Sequence, residues 1–236
     1  SVFLNKQTFK KNIFSINASS FININSKLEI SEKKYWKIGR YKNDIQMSSK
    51  VASEKVNDLI TNSLKIRLRS DVKNIFCLSG GIDSGSLVSI ASKKFNMKVD
   101  TFSIIDSNSP KYNERHLIEK TLEDTGAKKN FLFTEKINFF ETLKKVVKYY
   151  NSPVLTVNYL LHALMQKKIK DLGYKVVISG NGADEISAGY YDHYLYHLKD
   201  LKNFGTNKEF KDGYADWKKY LHPIIRNKNF KNFNKY

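Results

Sequence analysis

The chain alternates between short apolar runs and longer segments in which apolar residues recur every three or four positions. The first pattern is typical of buried β-strands, and the second is typical of amphipathic α-helices. The predicted strands cover residues 75–78, 99–105, 130–133 and 176–179, and the predicted helices cover residues 86–95, 114–125, 139–150 and 159–172. Strands that alternate with helices predict an α/β fold with a doubly wound, mostly parallel sheet.

Both ends of the chain depart from this alternation. Residues 21–36 contain short alternating segments that resemble strands separated from their partners, and the polar stretch 41–50 follows them. Ser48 or Ser49 can cap the helix that comes next. We therefore expect residues 1–45 to be the remnant of another domain with its linker, and residues 46–236 to be the main domain. Its C-terminal part after residue 201 is predicted to be helical, with a turn at Asp212-Gly213.

Composition narrows the classes of protein to which this chain can belong. No stretch approaches the ~20 apolar residues of a membrane span, and the N-terminus lacks the regions of a signal peptide. A cytoplasmic protein without a membrane partner is therefore the default expectation. The single cysteine excludes an internal disulfide and a cysteine-rich zinc site.

The formal net charge of +18 raises the question of an anionic partner such as nucleic acid. The lysines are scattered through nearly every segment and form no block. This distribution favours a solvated lysine surface over a nucleic-acid interface.

The first candidate site follows the strand at residues 75–78. There the chain reads Ser79-Gly80-Gly81-Ile82-Asp83-Ser84 before it enters a helix, and we call residues 79–84 the phosphate loop. Consecutive glycines let a ligand approach the backbone, and the start of a helix offers N–H groups to an anion. Asp83 would repel a bare phosphate, so its presence predicts a magnesium ion between carboxylate and phosphate. The alternative is an ordinary serine-glycine turn in which Asp83 or Ser84 caps the helix.

The second candidate site follows the strand at residues 176–179. The run Ser179-Gly180-Asn181-Gly182-Ala183-Asp184-Glu185 again combines glycines with carboxylates at a helix start, and we call residues 179–185 the acidic turn. Ligands of parallel sheets bind beyond the carboxyl ends of the strands, so Asp184 can supply a second magnesium ligand opposite Asp83. The alternative is a capping turn in which Asp184 and Glu185 favour the helix dipole.

The two motifs together resemble a known family. The phosphate loop resembles the SGGxDS loop of ATP pyrophosphatases, which cleave ATP to AMP and pyrophosphate. With the acidic turn, it is similar to the synthetase domain of the glutamine-dependent asparagine synthetases, which carry SGGxDS and a later SGEGADE…GY segment. Residues 22–36 are similar to the closing strands of that family's glutaminase domain. The resemblance implies an adenine nucleotide alpha hydrolase-like fold, a remnant of a glutaminase-type domain in residues 1–45, and an ATP-binding synthetase domain in residues 46–236 that ends before the family's C-terminal lysine.

The resemblance also implies an activity, which is that of an ATP-dependent, amide-forming ligase. A carboxylate is activated as an acyl-adenylate with release of pyrophosphate, and ammonia then attacks it; ATP and Mg²⁺ are the implied cofactors. The acceptor is aspartate, or a sugar carboxylate, because residues 189–194 and 223–227 resemble a family branch associated with bacterial surface-sugar pathways. The implied partner is a glutaminase domain of the same parent protein, which releases ammonia from glutamine, and homodimerisation is left open.

The resemblance assigns roles to particular residues. The implied nucleotide-binding residues are Leu78, Ser79, Gly80, Gly81, Asp83, Ser84, Ser103, Ile104, Ser179 and Gly180. The implied metal ligands are Asp83 and Asp184. The implied catalytic residues are Asp83, Asn181, Asp184 and Glu185.

One residue of the acidic turn departs from the family pattern. Asn181 stands where asparagine synthetases usually carry a glutamate, and an amide cannot take a proton from the attacking nitrogen. Two alternatives to the ligase stay open. The positive net charge leaves open a nucleic-acid modifying ATPase with the same loop, and Asn181 leaves open a catalytically inactive nucleotide-binding module.

Overall fold

The computed structural model describes residues 6–37, 47–106, 113–225 and 227–233, except for the side chain of Lys136. The predicted domain boundary between residues 45 and 46 lies outside the described residues, and so does Arg226 in the segment 223–227. Within the described part of the chain, no helix has both the length and the hydropathy that crossing a membrane requires.

The strands of the described residues form two sheets. They are β1 (Ser20–Ile24), β2 (Ile30–Lys34), β3 (Asn74–Cys77), β4 (Thr101–Ile105), β5 (Phe131–Phe133) and β6 (Val176–Ile178). β1 and β2 pair with each other as an antiparallel hairpin, in which Phe21 lies opposite Lys33. The other four strands form the main sheet, where β4 and β5 are parallel with Ser103 opposite Phe131. The predicted parallel sheet with flanking helices is confirmed.

The helices account for most of the remaining described chain. The α-helices are α1 (Ser49–Arg67), α2 (Ile82–Ser89), α3 (Arg115–Thr125), α4 (Phe139–Tyr150), α5 (Asn158–Asp171), α6 (Ala183–Ser187), α7 (Tyr191–Phe204) and α8 (Asn207–Asp216). Single π-helical turns continue α2 and α8. The predicted turn at Asp212-Gly213 is wrong, because both residues lie inside α8. A capping box starts that helix: the Thr206 side chain accepts from the Glu209 N–H, and the Glu209 carboxylate accepts from the Thr206 N–H.

The strand order of the main sheet places β3 next to β6, and the two candidate loops follow these two strands. The strands stand in the order β5-β4-β3-β6, so the chain moves from β3 to β4 and β5 on one side and returns to β6 on the other. In open α/β sheets, ligands bind beyond the carboxyl ends of the strands at the point where this direction reverses. The phosphate loop leaves β3 and the acidic turn leaves β6, so both loops flank the reversal.

The described residues group into two compact units. The first is drawn from Ser1–Ile75, Phe102–Arg115 and Lys129–Val176, and the second from Phe76–Thr101, His116–Lys128 and Val177–Tyr236. In the first unit, α4 packs against α5 and the β1–β2 hairpin is largely exposed. The second unit contains both the phosphate loop and the acidic turn.

The second unit buries apolar side chains in α2 and in its C-terminal helices. Val88 of α2 is fully buried, and burial of such a side chain contributes roughly 1.5–3 kcal/mol. A separate cluster of Leu195, Leu198, Trp217 and Ile225 holds the C-terminal helices together. The helix that follows the phosphate loop is therefore anchored from its buried face.

Candidate active site at the ends of β3 and β6

The phosphate loop leads directly into the first turn of α2. Leu78 is only 3% exposed and fixes the point at which the loop leaves β3. Gly81 is the N-cap of α2, and no side chain caps the first turn. The helix was predicted to begin at residue 86, but Asp83 and Ser84 already lie within its first turn. The N–H groups of a first turn have no partners within the helix, and together with the helix dipole they favour an anion.

The hydroxyl of Ser84 holds the loop together from the inside. Ser84 is 6% exposed, and its Oγ accepts a hydrogen bond from the Ser79 N–H at 2.9 Å. The same oxygen lies 2.9 Å from Ser79 Oγ, which in turn accepts from the Gly81 N–H at 3.2 Å. Ser84 thus shapes the loop, whereas Ser79 and Gly81 are exposed. Pyrophosphate binding by Ser79, Gly80, Gly81 and Ser84 stays a prediction.

The acidic turn brings two carboxylates to the start of α6. Gly182 is the N-cap of this short helix and has φ of +91°, a left-handed conformation that glycine adopts without steric cost. Asp184 and Glu185 lie in the first turn that follows. Ser179 and Asn181, which precede the helix, are both exposed.

Gly180 brings the two loops into contact. A Cβ atom added at Gly180 would lie 3.0 Å from the Cβ of Asp83 and 3.1 Å from the backbone nitrogen of Ser84. These distances leave almost no space for a side chain. The backbone of the acidic turn therefore lies directly against the first turn of α2, and the structure brings Asp83 to the turn that carries Asp184 and Glu185.

The three carboxylates influence one another electrostatically. Partial burial raises the pKa of Asp83, and the negative charges of Asp184 and Glu185 raise this pKa further. Like charges held together in this way disfavour ionisation unless a cation compensates them. The site therefore combines a helix start, whose free N–H groups favour an anion, with an acidic cluster, whose charges favour a cation.

The donor set fits a magnesium ion that is shared with phosphate. Mg²⁺ is commonly bound by one or two protein carboxylates and completes its coordination with phosphate oxygens and water. Across residues 6–37, 47–106, 113–225 and 227–233, no group of three or more His, Cys, Asp or Glu side chains is arranged to hold a metal by itself. Magnesium ligation by Asp83 and Asp184 stays a prediction.

Tyr190 is a candidate residue that sequence analysis left without a role. Its hydroxyl donates a hydrogen bond to Oε1 of Glu185 at 2.9 Å, and this bond raises the pKa of Tyr190. Its ring meets that of His193 edge-on, with centroids 5.0 Å apart. Tyr190 follows Glu185 by five positions and lies beyond α6, so the helical spacing rules do not pair the two residues.

The two predicted nucleoside contacts, Ser103 and Ile104, lie in β4 and belong to the first unit. Ser103 is 2% exposed, and its backbone N–H donates to the Asn130 carbonyl at 2.9 Å. Its hydroxyl is buried without a hydrogen-bond partner among the described residues. Ile104 is half-buried. Contact of either residue with a nucleoside stays a prediction.

Comparison with known proteins gives consistent results. The family model described as asparagine synthase matches residues 55–232. The glutamine-hydrolyzing asparagine synthetase of Zea mays is 33% identical over 147 residues, which are 58% of this chain and 25% of that protein. The glutamine-hydrolyzing asparagine synthetase 1 of Bacillus subtilis is 29% identical over 162 residues, which are 69% of this chain and 25% of that protein.

A solved structure is also similar to this chain. The NH3-dependent NAD synthetase from Campylobacter jejuni, in complex with nitrate, aligns with a TM-score of 0.38 and 16% identity, over 78% of this chain and 91% of that chain. The chain spans about a quarter of the length of the two curated relatives named above. Because the family match covers most of the chain and includes both the phosphate loop and the acidic turn, this chain belongs to the asparagine synthase family.

Proposed function

We propose that this chain is the ATP-using part of an amide-forming ligase, which activates a carboxylate as an acyl-adenylate and transfers the acyl group to ammonia. The contact between Gly180 and Asp83 is the observation that carries the proposal. It unites an anion-binding helix start with an acidic turn at the reversal of the sheet. Membership of the asparagine synthase family supports the same activity.

The proposed reaction consists of two displacements. A carboxylate oxygen of the acceptor bonds to the α-phosphorus of ATP, and the bond between that phosphorus and the oxygen bridging to the β-phosphorus breaks, which releases pyrophosphate. The nitrogen of ammonia then bonds to the acyl carbon and loses a proton, and AMP leaves with the electron pair of the broken C–O bond. Magnesium, when bound, neutralises charge on the pyrophosphate. The protein contributes mainly positioning and charge stabilisation.

Each part of the site has a role in this proposal. Asp83 and Asp184 hold the magnesium ion, and the first turn of α2 faces the pyrophosphate. The nucleotide site also includes Leu78, together with Ser79, Gly80, Gly81 and Ser84 of the phosphate loop. Gly180 contacts the nucleoside, and Ser179 belongs to the same nucleotide site; nucleoside contact by Ser103 and Ile104 stays only an expectation from the family resemblance. The reacting intermediate faces Asn181, Asp184 and Glu185.

Asn181 bears on the choice of acceptor. Its side chain is exposed and can donate and accept hydrogen bonds, but it cannot take up the proton that ammonia loses. The proposal therefore keeps both aspartate and a sugar carboxylate as acceptors.

The source of ammonia lies outside the synthetase part in this proposal. The curated relatives are named as glutamine-hydrolyzing enzymes, and the chain spans about a quarter of their length. We propose that a glutaminase domain of the same parent protein releases ammonia, that residues 1–45 are the remnant of that domain and its linker, and that residues 46–236 form the synthetase domain. The proposed location is the cytoplasm.

Pyrophosphate release is the direct test of this function. The parent protein that contains this chain is incubated with ATP, Mg²⁺, free ammonia and a panel of carboxylic acids that includes aspartate and sugar acids. We expect AMP and pyrophosphate to form in equal amounts, and only when a suitable acid is present. Free ammonia removes any dependence on the glutaminase.

Two variants serve as the matched comparison for this assay. Asp83→Asn removes a proposed metal ligand and is expected to abolish turnover. Asp171→Asn removes an exposed carboxylate of α5 that pairs with Lys167 at 2.8 Å, and it is expected to leave turnover unchanged. ATP binding without turnover in the presence of any acid would instead indicate an inactive module. Turnover that requires RNA would indicate a nucleic-acid modifying enzyme.

A further inference from the structure

A tight turn behind the acidic turn connects α6 to α7. Ala188 ends α6 in the left-handed conformation, with φ of +54°, which is uncommon for a residue other than glycine. The N–H of Gly189 then donates to the carbonyl of Asp184 at 2.9 Å, and Tyr190 is the N-cap of α7. The chain is thus folded back onto the helix that carries the two carboxylates.

Gly189 leaves the space that the Asp184 carboxylate occupies. A Cβ atom at this position would overlap Oδ1 of Asp184, and it would lie 2.9 Å from Cγ and 3.0 Å from Cα of the same residue. The Asp184 side chain would have to move away from its present position to relieve the overlap, and the tight contact with Cα would remain. Gly189 has no positive φ among the described backbone angles, so the requirement for glycine here comes from space.

Tyr190, the next residue, holds the second carboxylate. Its hydroxyl donates to Oε1 of Glu185 at 2.9 Å, although both residues are exposed. The edge-on contact with His193 in the first turn of α7 holds the tyrosine ring in place. Glu185 is thereby tied to the start of α7, and its orientation does not depend on α6 alone.

We infer that Gly189 and Tyr190 are positioning residues, which set the Asp184 carboxylate for the metal and the Glu185 carboxylate for the reacting intermediate. This inference rests on the proposed function, and it adds two residues to the site. The two residues have different roles in this inference: Gly189 supports binding of the metal–nucleotide complex, whereas Tyr190 supports the chemical step. Neither residue touches the substrate in this assignment.

Metal binding tests the assignment of Gly189 without relying on turnover. Binding of Mn²⁺, as a spectroscopic substitute for Mg²⁺, is measured by electron paramagnetic resonance in the presence of a non-hydrolysable ATP analogue. Gly189→Ala is expected to weaken Mn²⁺ binding about tenfold or more, as loss of a supporting residue around a metal does. Gly213→Ala is the matched control, because a Cβ there would meet side-chain atoms of Leu201 and Leu198. We expect this control to bind Mn²⁺ like the unaltered protein.

A double-mutant cycle shows whether Gly189 acts through Asp184. If it does, Gly189→Ala causes little further loss of Mn²⁺ affinity in a protein that already carries Asp184→Asn. Full additivity of the two losses, or unchanged affinity of Gly189→Ala alone, would overturn the assignment. Circular dichroism of each variant identifies a loss of affinity that comes from unfolding. Failure of the unaltered protein to bind the metal–nucleotide complex would instead overturn the proposed function.

Tyr190→Phe tests the role of Tyr190 in the chemical step. This variant keeps the ring against His193 and removes the hydroxyl that holds Glu185. We expect kcat for amide formation to fall between about tenfold and a hundredfold, because a small misplacement of a reacting group has that effect, while Mn²⁺ affinity stays unchanged. Tyr191→Phe is the matched control and should retain full kcat. A Tyr190→Phe enzyme with normal kcat, or one with weakened Mn²⁺ binding, would contradict the assignment.

Discussion

At the scale of single residues, the helix start and the neighbouring carboxylates have opposite effects on the charge of Asp83. Asp83 lies at the start of α2, where the helix dipole favours a negative charge, but Asp184 and Glu185 raise its pKa. Without a bound cation, partial burial and the two neighbouring carboxylates disfavour the charged form of Asp83. Residues that are poised in this way are typical of functional sites.

This charge arrangement predicts a trade-off between stability and function. The pKa of Asp83 is higher in the folded than in the unfolded protein, so stability is lost as pH rises through the window above the ordinary aspartate value. Asp83→Asn should therefore raise the melting temperature of the metal-free protein at neutral pH, by less than about 4 °C because the site is partly solvated.

The higher melting temperature of Asp83→Asn should disappear under two conditions. Below the ordinary pKa of an aspartate, both proteins carry a neutral side chain and the difference in melting temperature should shrink. With Mg²⁺ and ATP present, the unaltered protein gains binding energy that the variant lacks, so the order should reverse. A thermal melt at several pH values, with and without ligands, checks each expectation. An unchanged difference across pH would refute the electrostatic explanation.

Part of this residue-scale picture could be predicted from sequence and part could not. The carboxylates of Asp83, Asp184 and Glu185 are visible as motifs, because each follows a strand and a glycine. The roles inferred for Gly189 and Tyr190 depend on how the chain folds back after α6, which no periodicity encodes. These roles depend on the space between Gly189 and Asp184 and on the hydrogen bond from Tyr190 to Glu185.

At the scale of elements, the sequence predicts the bounds of strongly periodic segments well and those of weakly periodic segments poorly. α4 occupies the predicted residues, because its apolar stripe is clear and the Asn138 side chain caps it. α2 begins four residues earlier than predicted. The glycine pair of the phosphate loop is typical of a loop, but in the structure Gly81 is already the N-cap of the helix. β2 lies within residues 21–36, where the sequence predicts strand-like segments, but its residues from Ile30 to Lys34 are all exposed and show no alternation in burial.

The start of α8 gives an element-scale prediction. The Thr206 side chain accepts from the Glu209 N–H at 3.2 Å, as in a T-x-x-E capping box. Thr206→Ala should lower stability by about 1 kcal/mol, which corresponds to a melting temperature about 2–4 °C lower. Mn²⁺ and nucleotide binding should not change. Lys211→Ala, at an exposed position of the same helix, is the control; equal melting temperatures for the two variants would contradict the capping role.

At the scale of the whole molecule, the order of the strands in the main sheet determines the position of the candidate site. The sequence alone shows two glycine-containing loops after strands, but it does not show that β3 and β6 are neighbours in the order β5-β4-β3-β6. That order follows from long-range packing, and it makes the two loops one candidate site. The net charge of +18, by contrast, leaves the assignment unchanged, because no feature of the described site requires nucleic acid.

The route of a single oxygen atom tests the central claim most directly. The acceptor acid found by the pyrophosphate assay is labelled with heavy oxygen in its carboxylate, and the parent protein converts it with unlabelled ATP, Mg²⁺ and ammonia. If the carboxylate attacks the α-phosphorus, one labelled oxygen stays with the phosphate of AMP, and mass spectrometry of the AMP will detect it. Label in inorganic phosphate alongside ADP, or AMP without label, would contradict acyl-adenylate formation at this site.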